Sequence, residues 1–252
     1  MRDERRISTR RTTSSTDVIG FYDDYAADWD TRFGQAPSAA AFHRERLATL
    51  LRLARFRPTD RVAELGVGTG RYLDAIARKV ADVLCLDGSA GMLAVLQAKH
   101  CDLPNIRVRQ ADLEEPLTDT GEPRDVVYGF GVVEHIIDVA AFMSNCRRLL
   151  GPGGRMVLVC ANARSPWYGA LRRLWRGGTH CSTDRYYTVE ALDAAATAHG
   201  FVPEAMEYWG YFPAGVGAFP AALFRTAGRI VARTPFRKYA GGLTRSYRLA
   251  DV

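Results

Sequence analysis

Long apolar runs are absent from this chain of 252 residues. A helix that crosses a membrane needs about 20 consecutive apolar residues, and no stretch of the sequence approaches that length. The first 16 residues also lack the apolar segment that a signal peptide requires. We therefore expect a cytoplasmic protein, and its 47% of hydrophobic residues is enough for one globular domain with a sizeable core.

Closely spaced cysteines are also absent. The five cysteines are scattered along the chain, and no two of them form a CxxC pair. This arrangement gives neither a zinc-binding spacing nor a disulfide framework, so we expect reduced thiols and no bound metal. The cysteines are Cys85, Cys101, Cys146, Cys160 and Cys181.

Acidic residues are scarce at the two ends of the chain. Residues 1–11 contain five arginines and two acidic residues, and residues 225–252 contain seven basic residues and one aspartate. The body between them therefore carries a small negative charge, although the whole chain has a net charge of +6. A slightly acidic body argues against a basic groove for nucleic acid, so we expect no nucleic-acid partner.

Strand and helix patterns alternate from residue 61 to residue 160. This alternation predicts an α/β fold, a doubly wound and mostly parallel sheet with helices on both faces. In such sheets ligands bind beyond the carboxyl ends of the strands. The predicted strands are residues 61–65, 82–86, 106–110, 125–128 and 155–160, and helices are predicted at 72–80, 89–100 and 139–150.

The remaining segments define the domain organisation. Residues 1–16 are basic and polar, so we expect a disordered tail. The folded domain is predicted over residues 17–210, with an inserted cap at about 163–187, a helix opened by Thr188 and a sixth strand at 201–209. Glycine and proline interrupt residues 211–252, an apolar and basic segment to which the sequence assigns no structure.

The strongest functional signal is Glu64 followed by three alternate glycines, Gly66, Gly68 and Gly70. Glycine allows a backbone to approach a ligand closely. Dinucleotide-binding domains use a similar turn, but their fingerprint requires glycine where Arg71 stands, and the carboxylate of Glu64 would repel a pyrophosphate. A cofactor with cationic groups and no phosphate suits this turn better.

Acidic residues also follow the next two predicted strands. Asp87 lies 21 residues after Gly66, where a carboxylate can accept hydrogen bonds from both hydroxyls of a ribose. Asp112 follows the third strand and could accept a hydrogen bond from an adenine amino group, while the backbone of Leu113 could donate to the ring. The combination of three acidic strand ends indicates an adenosine-containing cofactor.

These segments together resemble the class I S-adenosylmethionine-dependent methyltransferases, close to their small-molecule branch. The resemblance covers roughly residues 20–205. It rests on residues 64–70, 86–93, 111–113, 133–136 and 150–154. It implies the strand order 3-2-1-4-5-7-6 with strand seven antiparallel, S-adenosyl-L-methionine as the cofactor, and methyl transfer to an oxygen or nitrogen of a small organic molecule.

The resemblance also implies the residues of the cofactor site. Aromatic residues before the first strand, among them Tyr22, Tyr25 and Trp29, are expected to close over the cofactor or to serve only as core. The sequence departs from the family at Gly129-Phe130-Gly131, where polar residues are more usual, and in lacking a clear seventh strand. The cofactor-binding candidates are Glu64, Gly66, Gly68, Gly70, Asp87, Asp112, Leu113, Phe130 and Tyr22.

Two histidines are candidates for catalysis. Methyl transfer is an in-line displacement at an activated carbon, so the protein mainly aligns the reactants and excludes water. A histidine beside the methyl group could take a proton from a hydroxyl or a protonated amine. His135 follows the fourth strand. His180 and residues 184–188 resemble the family's approach to the helix before strand six, and they could line the acceptor pocket. A structural role is the alternative for both.

Three further functions are compatible with the sequence. The acceptor could be a quinone or lipid head group, because Arg225, Arg229 and Arg233 have the spacing of an interfacial helix. Gly228 and Pro235 interrupt that helix, which favours a solvated face instead. A nicotinamide-dependent oxidoreductase and a non-catalytic binding module could also be built on the same fold.

Overall fold

The computed structural model describes residues 13–34, 37–166, 185–210, 231 and 233–250. Seven strands form one sheet in the order β3-β2-β1-β4-β5-β7-β6. Neighbouring strands pair in parallel, except that β7 runs antiparallel to both β5 and β6. The strands are β1 Arg61–Leu65, β2 Asp82–Asp87, β3 Ile106–Gln110, β4 Arg124–Phe130, β5 Leu150–Ala161, β6 Phe201–Trp209 and β7 Gly242–Leu249. The α/β class and the strand order predicted from the sequence are confirmed.

Helices flank this sheet. The α-helices are α1 Ser15–Tyr25, α2 Trp29–Gly34, α3 Pro37–Ala54, α4 Leu73–Ala77, α5 Ala90–Lys99, α6 Val139–Leu149 and α7 Val189–Thr197. Short 3-10 helices cover Ala26–Asp28, Val133–His135 and Pro235–Tyr239. Side chains cap several helix starts, since Ser89 accepts from the backbone of Met92 and Thr188 accepts from that of Ala191.

The two faces of the sheet bury two separate apolar cores. Side chains alternate along each strand, so Ala63 and Leu65 point to one face and Val62 points to the other. The core with Ala63 includes buried side chains of α6 and α7, and the core with Val62 includes those of α3, α4 and α5. This layering leaves the carboxyl ends of the central strands for the loops that carry the predicted site.

Strand β7 lies inside residues 211–252, for which the sequence pattern predicts no strand. Arg245 breaks the alternation of Leu243 and Tyr247 with polar residues, and Thr244 and Ser246 are polar although they are buried. The hydroxyl of Thr244 lies 2.7 Å from that of Thr49, and Ser246 accepts from the backbone of Ala205 at 3.1 Å. Hydrogen bonds of these buried hydroxyls, one to a side chain and one to the backbone, thus stabilise a strand inside the sheet that periodicity does not reveal.

Several boundaries differ from the predicted ones. Helix α1 begins at Ser15 with Ser14 as its cap, two residues before the predicted start of the folded domain. Strand β5 begins at Leu150, which pairs with Arg124 before an irregularity, and regular pairing resumes at Arg155. The predicted strand therefore omitted the part of β5 that contains the glycine turn.

Some predicted features lie outside the described residues. They are most of the basic tail, residues 167–184 of the cap with His180 and Cys181, and residues 211–230 with Arg225 and Arg229. The four described cysteines are free thiols. Among the helices that the structure describes, none has both the length and the apolar character needed to cross a bilayer.

Candidate functional site

The glycine turn joins β1 to α4 and places its three glycines in different surroundings. All three have positive φ angles, of 65° at Gly66, 55° at Gly68 and 74° at Gly70. A Cβ atom at Gly66 would lie 2.5 Å from the side chain of Val132, and one at Gly70 would lie 2.9 Å from the ring of His100. A Cβ atom at Gly68 would have no heavy atom within 4 Å. Gly66 and Gly70 are therefore required by packing, whereas Gly68 borders open space that a ligand can occupy.

Asp87 connects this turn to the loop after β2. One oxygen of its carboxylate accepts from the backbone N–H of Gly68 at 2.8 Å, and the other accepts from that of Ser89 at 2.9 Å. Burial raises the pKa of Asp87, although both backbone hydrogen bonds act to lower it. A carboxylate has about four acceptor positions, so capacity remains for the hydroxyls of a ribose.

Glu64 lies at the end of β1 and is only 2% exposed. Its carboxyl accepts a hydrogen bond from the hydroxyl of Tyr128 at 3.0 Å. Burial raises the pKa of Glu64 to about 8, the hydrogen bond from Tyr128 acts to lower it, and the charge of Asp87 acts to raise it. A buried carboxyl with a raised pKa would become ionised beside a cation, so this end of the sheet suits a cationic ligand.

The loop after β3 joins the same cluster. The backbone N–H of Ala111 donates to the carbonyl of Asp87 at 2.9 Å. Asp112 is half-buried and accepts from the backbone of Glu114 at 2.9 Å, and the side chain of Leu113 packs into the core. The structure thus brings together the loops after β1, β2 and β3, which carry the predicted candidates.

Phe130, at the end of β4, contacts a group of residues that the sequence did not mark. Its ring lies 4.1 Å from that of Tyr72, centroid to centroid. The guanidinium of Arg46, on α3, lies 5.7 Å from the centroid of Phe130. A Cβ atom at Gly131 would lie 2.8 Å from Nη2 of Arg46, so the guanidinium lies close to the backbone of the residue after Phe130.

Arg46 is a functional candidate that the sequence analysis missed. Its Nε is buried and has no hydrogen-bond partner among the residues that the structure describes. A guanidinium in this position, at the carboxyl end of β4, can bind a carboxylate. Nothing in the local pattern reveals it, because the arginine lies on a helix 20 residues before Gly66 and its proximity to Phe130 comes only from the fold.

The N-terminal segment, residues 13–34, lies against the glycine turn through Asp30. The carboxylate of Asp30 accepts from the hydroxyl of Thr69 at 2.9 Å, from Arg71 at 3.0 Å and from the amine of Lys99 at 2.7 Å. Burial acts to raise the pKa of Asp30, but the hydrogen bonds from Lys99 and Thr69 and the two positive charges outweigh it, and the pKa is lowered. This ionised carboxylate attaches the segment to the turn.

A second attachment joins the segment to the loop after β2. Asp23 accepts from the hydroxyl of Ser89 at 2.5 Å and from the backbone N–H of Gly91 at 2.9 Å. The side chain of Ile19 also packs on this loop, since a Cβ atom at Gly88 would lie 2.6 Å from it. Both attachments place the predicted aromatic residues of the N-terminal segment beside the site.

His135 lies in the 3-10 helix that follows β4. Its Nε2 is 2.8 Å from the hydroxyl oxygen of Tyr22, and the two rings pack edge to face with centroids 5.2 Å apart. The sequence marked both residues but did not pair them. The other candidate for catalysis, His180, lies outside the described residues.

Glu134 fixes the loop that carries His135. Its carboxyl is buried and accepts from the backbone N–H of Ala161 at 2.6 Å, and its carbonyl accepts from that of Arg185 at 2.8 Å. Burial raises the pKa of Glu134, while the nearby His135 and Arg46 act to lower it. The end of β4, the end of β5 and the start of the segment before α7 therefore meet at this residue.

Comparisons with known proteins show which sequences and structures this chain resembles. A family model described as a methyltransferase domain matches residues 63–158. The ubiquinone biosynthesis O-methyltransferase of Azorhizobium caulinodans is 34% identical over 151 residues, which span 56% of this chain but only 58% of that protein. The protein of the same name from Brucella anthropi is 31% identical over 212 residues, which span 76% of this chain and 84% of that protein.

Among solved structures, the DhpI–SAH complex is similar to this chain. The TM-score is 0.66 and the identity is 20%, with 94% of this chain and 99% of the other covered. At that identity the likeness concerns the fold alone.

The open space beside Gly68 leads to a first prediction. The variant Gly68→Val should lose binding of S-adenosylhomocysteine, because its side chain would fill the space in which we expect the cofactor to lie. Calorimetric titration of the purified variant measures this loss.

The control is Gly121→Val. Gly121 also has a positive φ angle, of 61°, and also has no neighbour within 4 Å of a Cβ atom, so the two variants carry similar backbone strain. The control should bind like the wild type. A folded Gly68→Val protein of unchanged affinity would contradict the assignment, and Gly68→Ala serves if the valine variant does not fold.

The raised pKa of Glu64 leads to a second prediction. With a pKa of about 8, Glu64 holds a proton near neutral pH in the free protein. A cation bound nearby favours the ionised carboxylate, so binding of S-adenosyl-L-methionine near neutral pH should release protons to the buffer. The binding enthalpy measured in phosphate and in Tris should then differ.

Glu64→Gln is the control and should remove this difference. Equal wild-type enthalpies in the two buffers would show that Glu64 does not respond to the ligand.

Proposed function

Because the chain belongs to the class I S-adenosylmethionine-dependent methyltransferases, we propose that it transfers a methyl group to a hydroxyl oxygen of a small organic acceptor. The observation that carries the choice of oxygen is the similarity to O-methyltransferases, which extends over 84% of the relative from Brucella anthropi. The sequence alone also allowed methyl transfer to a nitrogen, and a nitrogen acceptor is the alternative to this proposal. Family membership sets aside the oxidoreductase alternative.

The residues at the strand ends fit the cofactor of this family. Buried carboxyls suit its sulfonium and ammonium groups, and the guanidinium of Arg46, whose Nε has no partner in the described part of the chain, suits its carboxylate. Asp87 would accept from the ribose hydroxyls, and Asp112 and the backbone of Leu113 would bind the adenine. The proposed cofactor site consists of Glu64, Gly66, Gly68, Gly70, Asp87, Asp112, Leu113, Phe130, Tyr22 and Arg46.

The bound cofactor supplies a methyl group on positively charged sulfur; an electron pair of the acceptor oxygen forms the new C–O bond while the pair of the C–S bond stays on sulfur. The protein's part is to align the acceptor and to take up its proton. We assign the proton to the imidazole of His135, the histidine at the end of β4. The N-terminal segment, attached through Asp23 and Asp30, would exclude water from the reaction.

A third prediction tests this function directly. The purified protein should bind S-adenosyl-L-methionine and S-adenosylhomocysteine in calorimetric titrations, and it should not bind NADH or NADPH, whose pyrophosphate would lie beside the acidic strand ends. With S-adenosyl-L-methionine carrying a radiolabelled methyl group, label should pass to catechol, used as a hydroxyl probe. Benzylamine, an amine probe of similar size, should receive little.

Each outcome has a definite meaning. If the protein binds NADH or NADPH and does not bind S-adenosylhomocysteine, the proposed methyl transfer is contradicted. Transfer of label to benzylamine and not to catechol would show that the acceptor atom is nitrogen and not oxygen.

A second candidate acceptor is a quinone or lipid head group at a membrane surface. Besides the names of the relatives, the 3-10 helix Pro235–Tyr239 supports it, since Phe236 is 67% and Tyr239 is 44% exposed beside Arg237 and Lys238. Asn162, at the end of β5, donates to the carbonyls of Lys238 and Ala240 at 2.9 Å, which holds this helix at the same edge of the sheet as the site. The cytoplasmic location and the absence of a nucleic-acid partner stay predictions from composition.

This second candidate makes a fourth prediction. Vesicles that contain anionic lipid should sediment the protein in low salt, and capture should fall as salt screens the roughly 1 kcal/mol that each basic residue contributes near the surface. Neutral vesicles should capture much less. Phe236→Ser should reduce capture, whereas Val202→Ser, a matched change of an exposed apolar residue on β6, should not. Absence of capture by both kinds of vesicle would remove this candidate.

A further inference from the structure

The hydrogen bond between Tyr22 and His135 joins residues that are 113 positions apart in the chain. Tyr22 comes from α1, which lies outside the sheet, and His135 comes from the loop directly after β4. The ring of Tyr22 is also packed edge to face against Trp29, with centroids 5.3 Å apart. These ring contacts and the hydrogen bond to His135 together define where the hydroxyl of Tyr22 lies.

The position of α1 depends on the loop after β2. Asp23, the residue next to Tyr22, accepts from Ser89 and Gly91 of that loop, and Ile19 packs against Gly88. The same loop begins at Asp87, the proposed ribose ligand. The hydroxyl of Tyr22 therefore reaches His135 when α1 is docked on the loop that would bind the cofactor.

A histidine on a single 3-10 turn needs an external contact to fix its ring. The terminal torsion of a histidine side chain is broad, and a half-turn of the ring places a carbon where each nitrogen was. A tyrosine hydroxyl can donate to a bare nitrogen and can accept from a protonated one. Because Nε2 is hydrogen-bonded to Tyr22, Nδ1 is the nitrogen that would take the proton of the acceptor, and it can do so only when Nε2 carries the hydrogen of the neutral ring. The oxygen of Tyr22 then accepts from Nε2–H, and this bond persists when the imidazole gains a proton.

We infer that Tyr22 is a positioning residue for His135, fixing the orientation and tautomer of its imidazole while α1 is docked on the loop after β2. The inference rests on the proposed function, in which His135 takes the proton of the acceptor. Helix α1 then does more than cover the site, because the imidazole of His135 would lose its bond to Tyr22 if the helix undocked. Tyr22 and His135 would then act as one unit.

The fifth prediction concerns Tyr22→Phe, which keeps the ring and removes only the hydroxyl. Nitrogen NMR of histidine-labelled protein, with His135 assigned from the His135→Gln spectrum, should show one tautomer of the neutral ring in the wild type. In Tyr22→Phe the two ring nitrogens should shift toward the average of two tautomers. Affinity for S-adenosylhomocysteine should stay within about twofold, because phenylalanine keeps the ring that would cover the cofactor and only the bond to His135 is lost.

Two aspartates provide matched variants on the same helix. Asp23→Ala removes the attachment of α1 without changing either member of the pair, so it should also mix the tautomers of His135. Asp24→Ala changes the neighbouring exposed aspartate, and the nitrogen NMR spectrum of this variant should be the same as that of the wild type.

Kinetics with catechol supply a second readout. Tyr22→Phe should lower kcat about tenfold with little change in the KM of S-adenosyl-L-methionine, and it should cause no further loss when His135→Gln is already present. Full additivity of the two losses, or an unchanged tautomer in Tyr22→Phe, would overturn the inference. Failure of the wild type to bind S-adenosylhomocysteine would instead overturn the proposed function.

Discussion

The hydrogen bonds of Asp87 are the constraint on which the rest of the site depends. The two oxygens of its carboxylate hold the glycine turn and the start of the loop after β2, and its carbonyl holds the loop after β3. Through Ser89 the same loop receives Asp23 and thereby α1. A single residue at the end of one central strand thus organises contacts from four separate segments of the chain.

Burial of acidic groups at the strand ends explains the chemistry that this edge of the sheet favours. Burial raises the pKa of Glu64, Asp87 and Glu134, so each is harder to ionise in the free protein, and a positive charge brought near would favour the ionised form. Bringing a ligand that carries cations to these carboxyls would offset part of the cost of their burial. The protein should therefore be more stable with its cofactor than without it.

The sequence predicted the parts of the structure that depend on local pattern. The α/β alternation and the positions of Glu64, Gly68 and Asp87 could be predicted because parallel strands bring their carboxyl ends to one edge, whatever connects them. The strand order came instead from the family resemblance. Contacts between distant segments could not, and this is why Arg46 was missed and why Tyr22 and His135 were marked but not paired. Strand β7 was missed for a different reason, since buried threonine and serine hide its periodicity.

The way in which residues 13–34 are attached has a consequence for the rate of turnover. Among residues 13–31 only Val18 and Ala26 are buried, so polar contacts at Asp23 and Asp30 provide most of the attachment. A segment with so little apolar burial opens at a free-energy cost well below that of global unfolding. Exchange of spent cofactor for fresh cofactor can then proceed by local opening of these helices while the sheet stays folded. The residence time of the product would be set by the strength of two carboxylate attachments.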